Sequence, residues 1–239
     1  GYSAGSTVTT GGNAIAIGAQ AMDATTSGEA NIAIGVAAFS SANGSYNTAI
    51  GVSALNNCTG SHNIAIGRNT GAAITTGQHN VFMGDYAGDT LTTASRNIAI
   101  GYEAFTAATT AEDCTIIGYQ AGDAITTGSQ NTAFGHIALT TATTAVNNTA
   151  IGREALRFTT GDGNTALGRA AGEDVSSGGN NICIGANSGR AGSPSGAIGG
   201  SSNTISLGNN SITDLFCADT SISSSDSRDK TDVTNFNIG

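Results

Sequence analysis

A five-residue pattern, N-h-x-h-G with h apolar or threonine and x small, recurs along most of this 239-residue chain at a nearly constant interval. It reads NIAIG from Asn31, NTAIG from Asn47, NIAIG from Asn63, NVFMG from Asn80 and NIAIG from Asn97. It continues as NTAFG from Asn131, NTAIG from Asn148, NTALG from Asn164 and NICIG from Asn181, with variants closing at Gly18 and Gly118. With the closing glycine as marker, successive intervals are 17, 16, 16, 17, 17, 17, 17, 17, 16 and 17 residues. Spacing this regular makes each interval one coil of a repeat architecture. The fold class that follows is an all-β parallel solenoid, a β-roll of 16- to 17-residue coils.

Within a coil, the alternation I-A-I reads as a short strand with isoleucines on one face and alanine on the other. The closing glycine suits a tight corner, and a second polar turn recurs as G-x-x-N, as at Gly44 to Asn47 and Gly60 to Asn63. One asparagine per coil predicts a stacked ladder that satisfies the side-chain amides. The second side of each coil shows an exchange. Three residues after the closing glycine the chain usually has alanine. One residue further it is bulky in six coils (Met22, Phe39, Leu55, Phe105, Leu139, Leu156) and glycine in five (Gly71, Gly88, Gly122, Gly172, Gly189). In four of the glycine coils the residue seven after the marker becomes Ile74, Leu91, Ile125 or Val175. One slot filled from either of two backbone positions explains this, because both a void and an overfilled core are destabilising.

A coil with two short strands is too thin to hide much apolar surface alone. The expectation is burial against copies of the same chain around an axis, with the isoleucine-bearing strands, including Ile34, Ile50, Ile66, Ile100, Ile151 and Ile184, in the interior. A monomeric solenoid with a wider core is the alternative. At about 4.8 Å per coil, the repeat makes a rod on the order of 50 Å long.

Composition excludes several other classes. Regularly spaced isoleucines are foreign to disordered chains, although Gly, Ser, Thr and Asn abound. The formal net charge of −9, with eight basic residues dispersed over the length, argues against nucleic acid as a partner. No apolar run approaches the roughly 18 residues of a membrane-spanning helix. Cys58, Cys114, Cys183 and Cys217 lack metal-ligand spacing, and Cys183 replaces the small residue of the repeat; reduced thiols fit cytoplasmic assembly. His62 and His79 occupy equivalent turn positions in neighbouring coils, and His136 stands at a corner. No metal or other cofactor is expected. Both ends of the chain read as cuts through a longer protein.

The segments NIAIGVAAF, NTAIGVSAL and NTAIGREAL are similar to the head repeats of trimeric autotransporter adhesins. They resemble more closely the NTAIGxxAL repeats of bacteriophage tail fibres and tail spikes, over about residues 13 to 208. The resemblance implies a homotrimer of parallel β-rolls around a threefold axis. It also implies a virion location and attachment to a host-cell surface glycan or protein, beside other tail-fibre segments. A bacterial trimeric adhesin on the cell surface is the alternative.

Towards the C-terminus, GNNSITDLFCADTSISSSDSRDKTDV resembles the junction preceding an endosialidase-type intramolecular chaperone, a domain that assists trimerisation and then cuts itself off. The family motif S-D-x-R-x-K matches Ser225, Asp226, Arg228 and Lys230, the last being the only lysine in the chain. The resemblance implies cleavage between Ser225 and Asp226, with Ser225 as nucleophile and Lys230 as base. The chemistry agrees, since a desolvated lysine can deprotonate a serine hydroxyl. The expected organisation is a lead-in over residues 1–12, the repeat solenoid over 13–192, an irregular cap and junction over 193–224, and the start of the chaperone over 225–239, too short to hold that domain whole. Apart from one self-cleavage in a longer parent, no enzymatic activity is expected.

Two other functions compete. Paired threonines at Thr75-Thr76, Thr92-Thr93, Thr109-Thr110, Thr126-Thr127, Thr143-Thr144 and Thr159-Thr160 suggest an ice-binding array, but adjacent residues point to opposite faces, whereas such arrays use T-x-T. A tail-spike depolymerase would need a carboxylate pair that the sequence does not single out.

Overall fold

The computed structural model describes residues 1–41 and 43–213. Among these residues, twelve strands of three residues each stack in chain order as one parallel sheet. They are β1 (Ile15–Ile17), β2 (Ile32–Ile34), β3 (Thr48–Ile50), β4 (Ile64–Ile66), β5 (Val81–Met83) and β6 (Ile98–Ile100), followed by β7 (Thr115–Ile117), β8 (Thr132–Phe134), β9 (Thr149–Ile151), β10 (Thr165–Leu167), β11 (Ile182–Ile184) and β12 (Ile205–Leu207). Register is strict: Ile34 pairs with Ile50, Ile50 with Ile66, and Ile184 with Leu207. The parallel solenoid expected from the spacing is the fold.

Each coil has one strand, not two. The rest of the coil is turn, because three positions in it are left-handed: two and four residues after the closing glycine, and one before the repeat asparagine. In one coil these are Glu103 (φ 52°), Phe105 (φ 62°) and Asp113 (φ 59°). Left-handed residues cannot continue a strand. The turns still stack in register, with Phe105 N–H donating to Ala121 O at 3.0 Å and Thr109 N–H to Thr126 O at 2.9 Å.

The closing glycine is obligatory at its corner. Gly101 sits at φ 136°, and a Cβ there would lie 2.6 Å from the carbonyl carbon of Gly118. No L side chain fits so close an approach.

The interior lies within the single chain, contrary to the expectation that a thin coil must borrow its burial from other chains. Ala49, Ala65, Ala99 and Ala133 point inward from the strands and are wholly buried, as are Met22, Phe39, Leu55, Phe105, Leu139 and Leu156 from the opposite side. The narrow cross-section suffices because the strand contributes only alanine to it. The slot exchange is also present: Ile74, Leu91, Ile125 and Val175 are wholly buried in the coils that have glycine at the bulky position. The fifth glycine coil is filled from a loop, since a Cβ on Gly189 would come within 2.8 Å of Ile198. A left-handed bulky residue costs roughly 1–2 kcal/mol, and full burial of a Leu or Phe offsets it with about 1.5–3 kcal/mol.

The asparagines form a ladder that includes direct amide-to-amide bonds, Asn80 Nδ2 donating to Asn63 Oδ1 and Asn181 Nδ2 to Asn164 Oδ1, each at 3.0 Å, but most of its links run to backbone. Each side chain clamps the backbone of the next coil with both ends of its amide. Asn47 Oδ1 accepts from Asn63 N–H at 2.8 Å while Asn47 Nδ2 donates to Gly60 O at 3.0 Å. The pattern recurs from Asn31 to Asn47, from Asn63 to Asn80, from Asn80 to Asn97 and from Asn164 to Asn181. Asn131 and Asn148 accept in the same way from Asn148 and Asn164, although Asn148 Nδ2 is buried without a partner. Inside the rod the run of asparagines is interrupted at Cys114. Cys114 stands at an asparagine position and takes the clamp from Asn97, but has no amide oxygen to offer Asn131.

Two substitutions of opposite sign test the ladder. Asn97→Ala strips the partners from Cys114 N–H and Ala111 O, both held at 2.9 Å, and is expected to cost on the order of 2–4 kcal/mol. Cys114→Asn completes the clamp and is expected to add about 1 kcal/mol. Thermal and denaturant melts followed by circular dichroism read both.

Candidate functional site: the outward sheet face and its margins

Strand alternation turns the first and third residues of each strand outward, and register aligns them into two columns running the length of the rod. The third-residue column holds Ile34, Ile50, Ile66, Met83, Ile100, Ile117, Phe134, Ile151, Leu167 and Ile184. Of the expected interior isoleucines, Ile34, Ile50, Ile66 and Ile100 are half-buried in the single chain, while Ile151 and Ile184 are exposed, the latter at 42%. The first-residue column is isoleucine or valine at β4 to β6 and threonine from β7 to β10. The result is an aliphatic stripe, two residues wide at β1, β2, β4 to β6, β11 and β12 and narrower at β3 and from β7 to β10, where threonine takes the first position.

Both margins of the stripe carry stacked rings. On one side Tyr46, His62 and His79 lie face to face, with centroids 5.1 and 5.0 Å apart. Arg96 follows them one coil on and bridges Glu112 and Asp113 at 2.7 and 2.6 Å, which holds the Asp113 carboxyl below its usual range. On the other side Tyr102, Tyr119 and His136 stack at 5.5 and 5.3 Å, Tyr86 meets Tyr102 edge-on, and Arg68 lies over Tyr86. Placing His62 and His79 at equivalent turn positions and His136 at a corner did not anticipate a stack; the one-coil strand spacing matches the distance between stacked rings and turns equivalent positions into ring ladders.

The threonine pairs are partly engaged in the backbone. Hydroxyls of Thr75, Thr92 and Thr126 donate to the carbonyls of Thr92, Thr109 and Thr143 in the next coil at 3.0, 3.2 and 2.9 Å. Cys58, Cys114 and Cys183 are buried free thiols. Burial pushes Cys58 up to about 12 and the other two up to about 11, so all three stay protonated and unreactive near neutrality. Ser225, Asp226, Lys230 and Cys217 lie outside the described residues. No protein-family model, curated protein or solved structure matches this chain.

Behind the second ring ladder, Asp89 and Asp123 flank Glu103 from neighbouring coils. Each aspartate buries an Oδ1 that has no hydrogen-bond partner. Desolvation, then the Glu103 charge, raises the carboxyl of both above the usual range, against backbone donors that lower it. Glu103 itself accepts from Gln120 Nε2 at 2.7 Å. A carboxyl raised in the folded state binds more protons there than when unfolded, so its contribution to stability is present at low pH and lost as pH rises through the raised value. Asp123→Asn is therefore expected to raise the melting temperature at pH 7 and to lose most of that advantage at pH 4. Paired melts of wild type and variant at the two pH values check it.

Proposed function

We propose that this chain is a segment of a homotrimeric phage tail fibre that attaches the virion to the host-cell surface. The observation that carries this reading is the outward aliphatic stripe. It runs from β1 to β12 and stays accessible although the coil already fills its own core. Exposed apolar surface of this extent and regularity is the mark of an interface. A repeat of constant pitch is matched along its whole length most simply by another copy of itself. The stripe serves a bacterial trimeric adhesin equally well; the Ser225, Asp226, Arg228 and Lys230 sequence favours the phage assignment.

Assembly and attachment are separate measurements. Light scattering coupled to gel filtration is expected to give three chains per particle. Ile100→Asp puts three carboxylates into the apolar seam and is expected to disperse the trimer, with the sheet signal retained because Ile100 faces away from the coil core. An Ile100→Asp protein that stays trimeric with unchanged melting overturns the face assignment. Attachment predicts that the purified rod competes with phage for adsorption to host cells; a rod without this effect is a spacer. In a parent that includes the complete chaperone, Ser225→Ala or Lys230→Ala is expected to leave the bond before Asp226 intact by mass spectrometry. Cleavage in either variant removes the dyad.

A further inference from the structure

We propose that a groove at the C-terminal end of the rod binds the carboxylate of an acidic saccharide of the uronate class. The site arises from the one long coil. Between Ile182 and Ile205, which pair in register, the interval is 23 residues (205 minus 182) in place of the usual 16 or 17. The surplus forms a loop containing the only proline, Pro194. Between this loop and the turn after β12 lies an open groove of about 450 Å³, lined by Arg169, Asn187, Arg190, Ser193, Asn209 and Ser211. That volume falls within the range of small-ligand sites.

Charge singles out Arg169. Of the six arginines among the described residues, five are matched: Arg68 with Asp85, Arg96 with Glu112 and Asp113, Arg153 and Arg157 with Glu154, and Arg190 with Glu173. Arg169 makes no ion pair among the described residues and opens onto the groove. In a chain of formal net charge −9 an unmatched guanidinium is an anomaly, and its planar fork fits a carboxylate.

The surrounding groups are fixed. Arg190 Nε lies 3.0 Å from the buried Glu173 Oε2, and Arg190 Nη1 donates to Asn187 Oδ1 at 3.1 Å, turning the Asn187 amide so that its NH2 is left to donate elsewhere. Asn209 is held at both ends, Nδ2 donating to Ala186 O at 3.0 Å and Oδ1 accepting from Ser211 N–H at 2.9 Å. Amides, hydroxyls and guanidinium groups without an aromatic or aliphatic anchor suit a hydroxyl-rich ligand better than an apolar peptide side chain. The acidic chain repels an extended polyanion such as RNA while admitting a single carboxylate.

This inference rests on the attachment reading for its biological setting, and the test separates the two. Titration of the full chain with methyl β-D-glucuronide, followed by NMR, is expected to show saturable shifts, with methyl β-D-glucoside and acetate each bound at least tenfold more weakly. Arg169→Ala is expected to lose glucuronide binding at least tenfold without a change in melting temperature, because Arg169 supports no ion pair among the described residues. Equal binding of acetate, of inorganic phosphate or of the glucoside, or unchanged binding by Arg169→Ala, overturns the proposal. If the wild-type rod competes for host adsorption but does not bind glucuronide, the groove fails and attachment stands. If it binds glucuronide but does not compete, attachment fails and the groove stands.

Discussion

Everything in this rod hangs on an asparagine amide that grips the next coil by two backbone groups. The grip spans a fixed stretch of the receiving coil: the carbonyl it meets and the N–H it meets are three residues apart, as with Gly60 and Asn63 or Gly77 and Asn80. Residues upstream of that stretch are not measured by the clamp, so a coil can have 16 or 17 without disturbing the stack. The long coil obeys the same rule. Asn181 donates to Ser201 O at 2.8 Å and accepts from Thr204 N–H at 2.9 Å, so six or seven extra residues leave β12 in register with β11. Tolerance for insertions at one point on the circumference is what allows a groove to be added to an otherwise uniform rod.

Much of this was open to reading from the residues. The asparagine and the closing glycine recur because one must reach across to the next coil and the other must let its backbone come close. The slot exchange at Phe105 or Gly122 with Ile125 is volume conservation written in the sequence. A related signal was present and missed. Where the inward strand residue is apolar and larger than alanine, at Phe82, Ile116 and Cys183, the same coil has glycine at the bulky position: Gly88, Gly122 and Gly189. A Cβ on Gly88 would fall 2.9 Å from the Phe82 ring, and one on Gly122 would fall 3.2 Å from Ile116. One cross-section is thus shared among three backbone positions, not two.

The second strand failed as an expectation for a specific reason. Phe39 and Phe105 are residues that favour strands and Leu55 one that favours helices, and nothing local places them in the left-handed region, at φ 50°, 47° and 62°. Burial imposes that conformation against propensity, and glycine at the same position in other coils relieves the strain while giving up the contact. Choices of this sort depend on what the neighbouring coil supplies, so only the pattern over many coils exposes them. Function was less legible still, because the residues that differ from coil to coil lie in turns, where the repeat imposes the least.

Regularity brings a hazard that the margins of the stripe counter. In the proposed trimer, three rods with identical aliphatic columns could slide by one coil and bury nearly the same surface, as a strand with a featureless face slips in register. The flanking columns are not uniform. Along one margin the chain places Tyr46, His62, His79, Arg96 and Asp113 in successive coils, and along the other Arg68, Asp85, Tyr102, Tyr119 and His136. A one-coil slip would shift each arginine away from its level and set rings against carboxylates. In such an assembly the stripe would supply most of the apolar burial and tell the chains little about alignment, whereas the rings and charges beside it would supply less burial and distinguish each coil from the next. That division parallels the one inside the coil, where repeated alanine makes room and single residues such as Phe82 decide which neighbour fits.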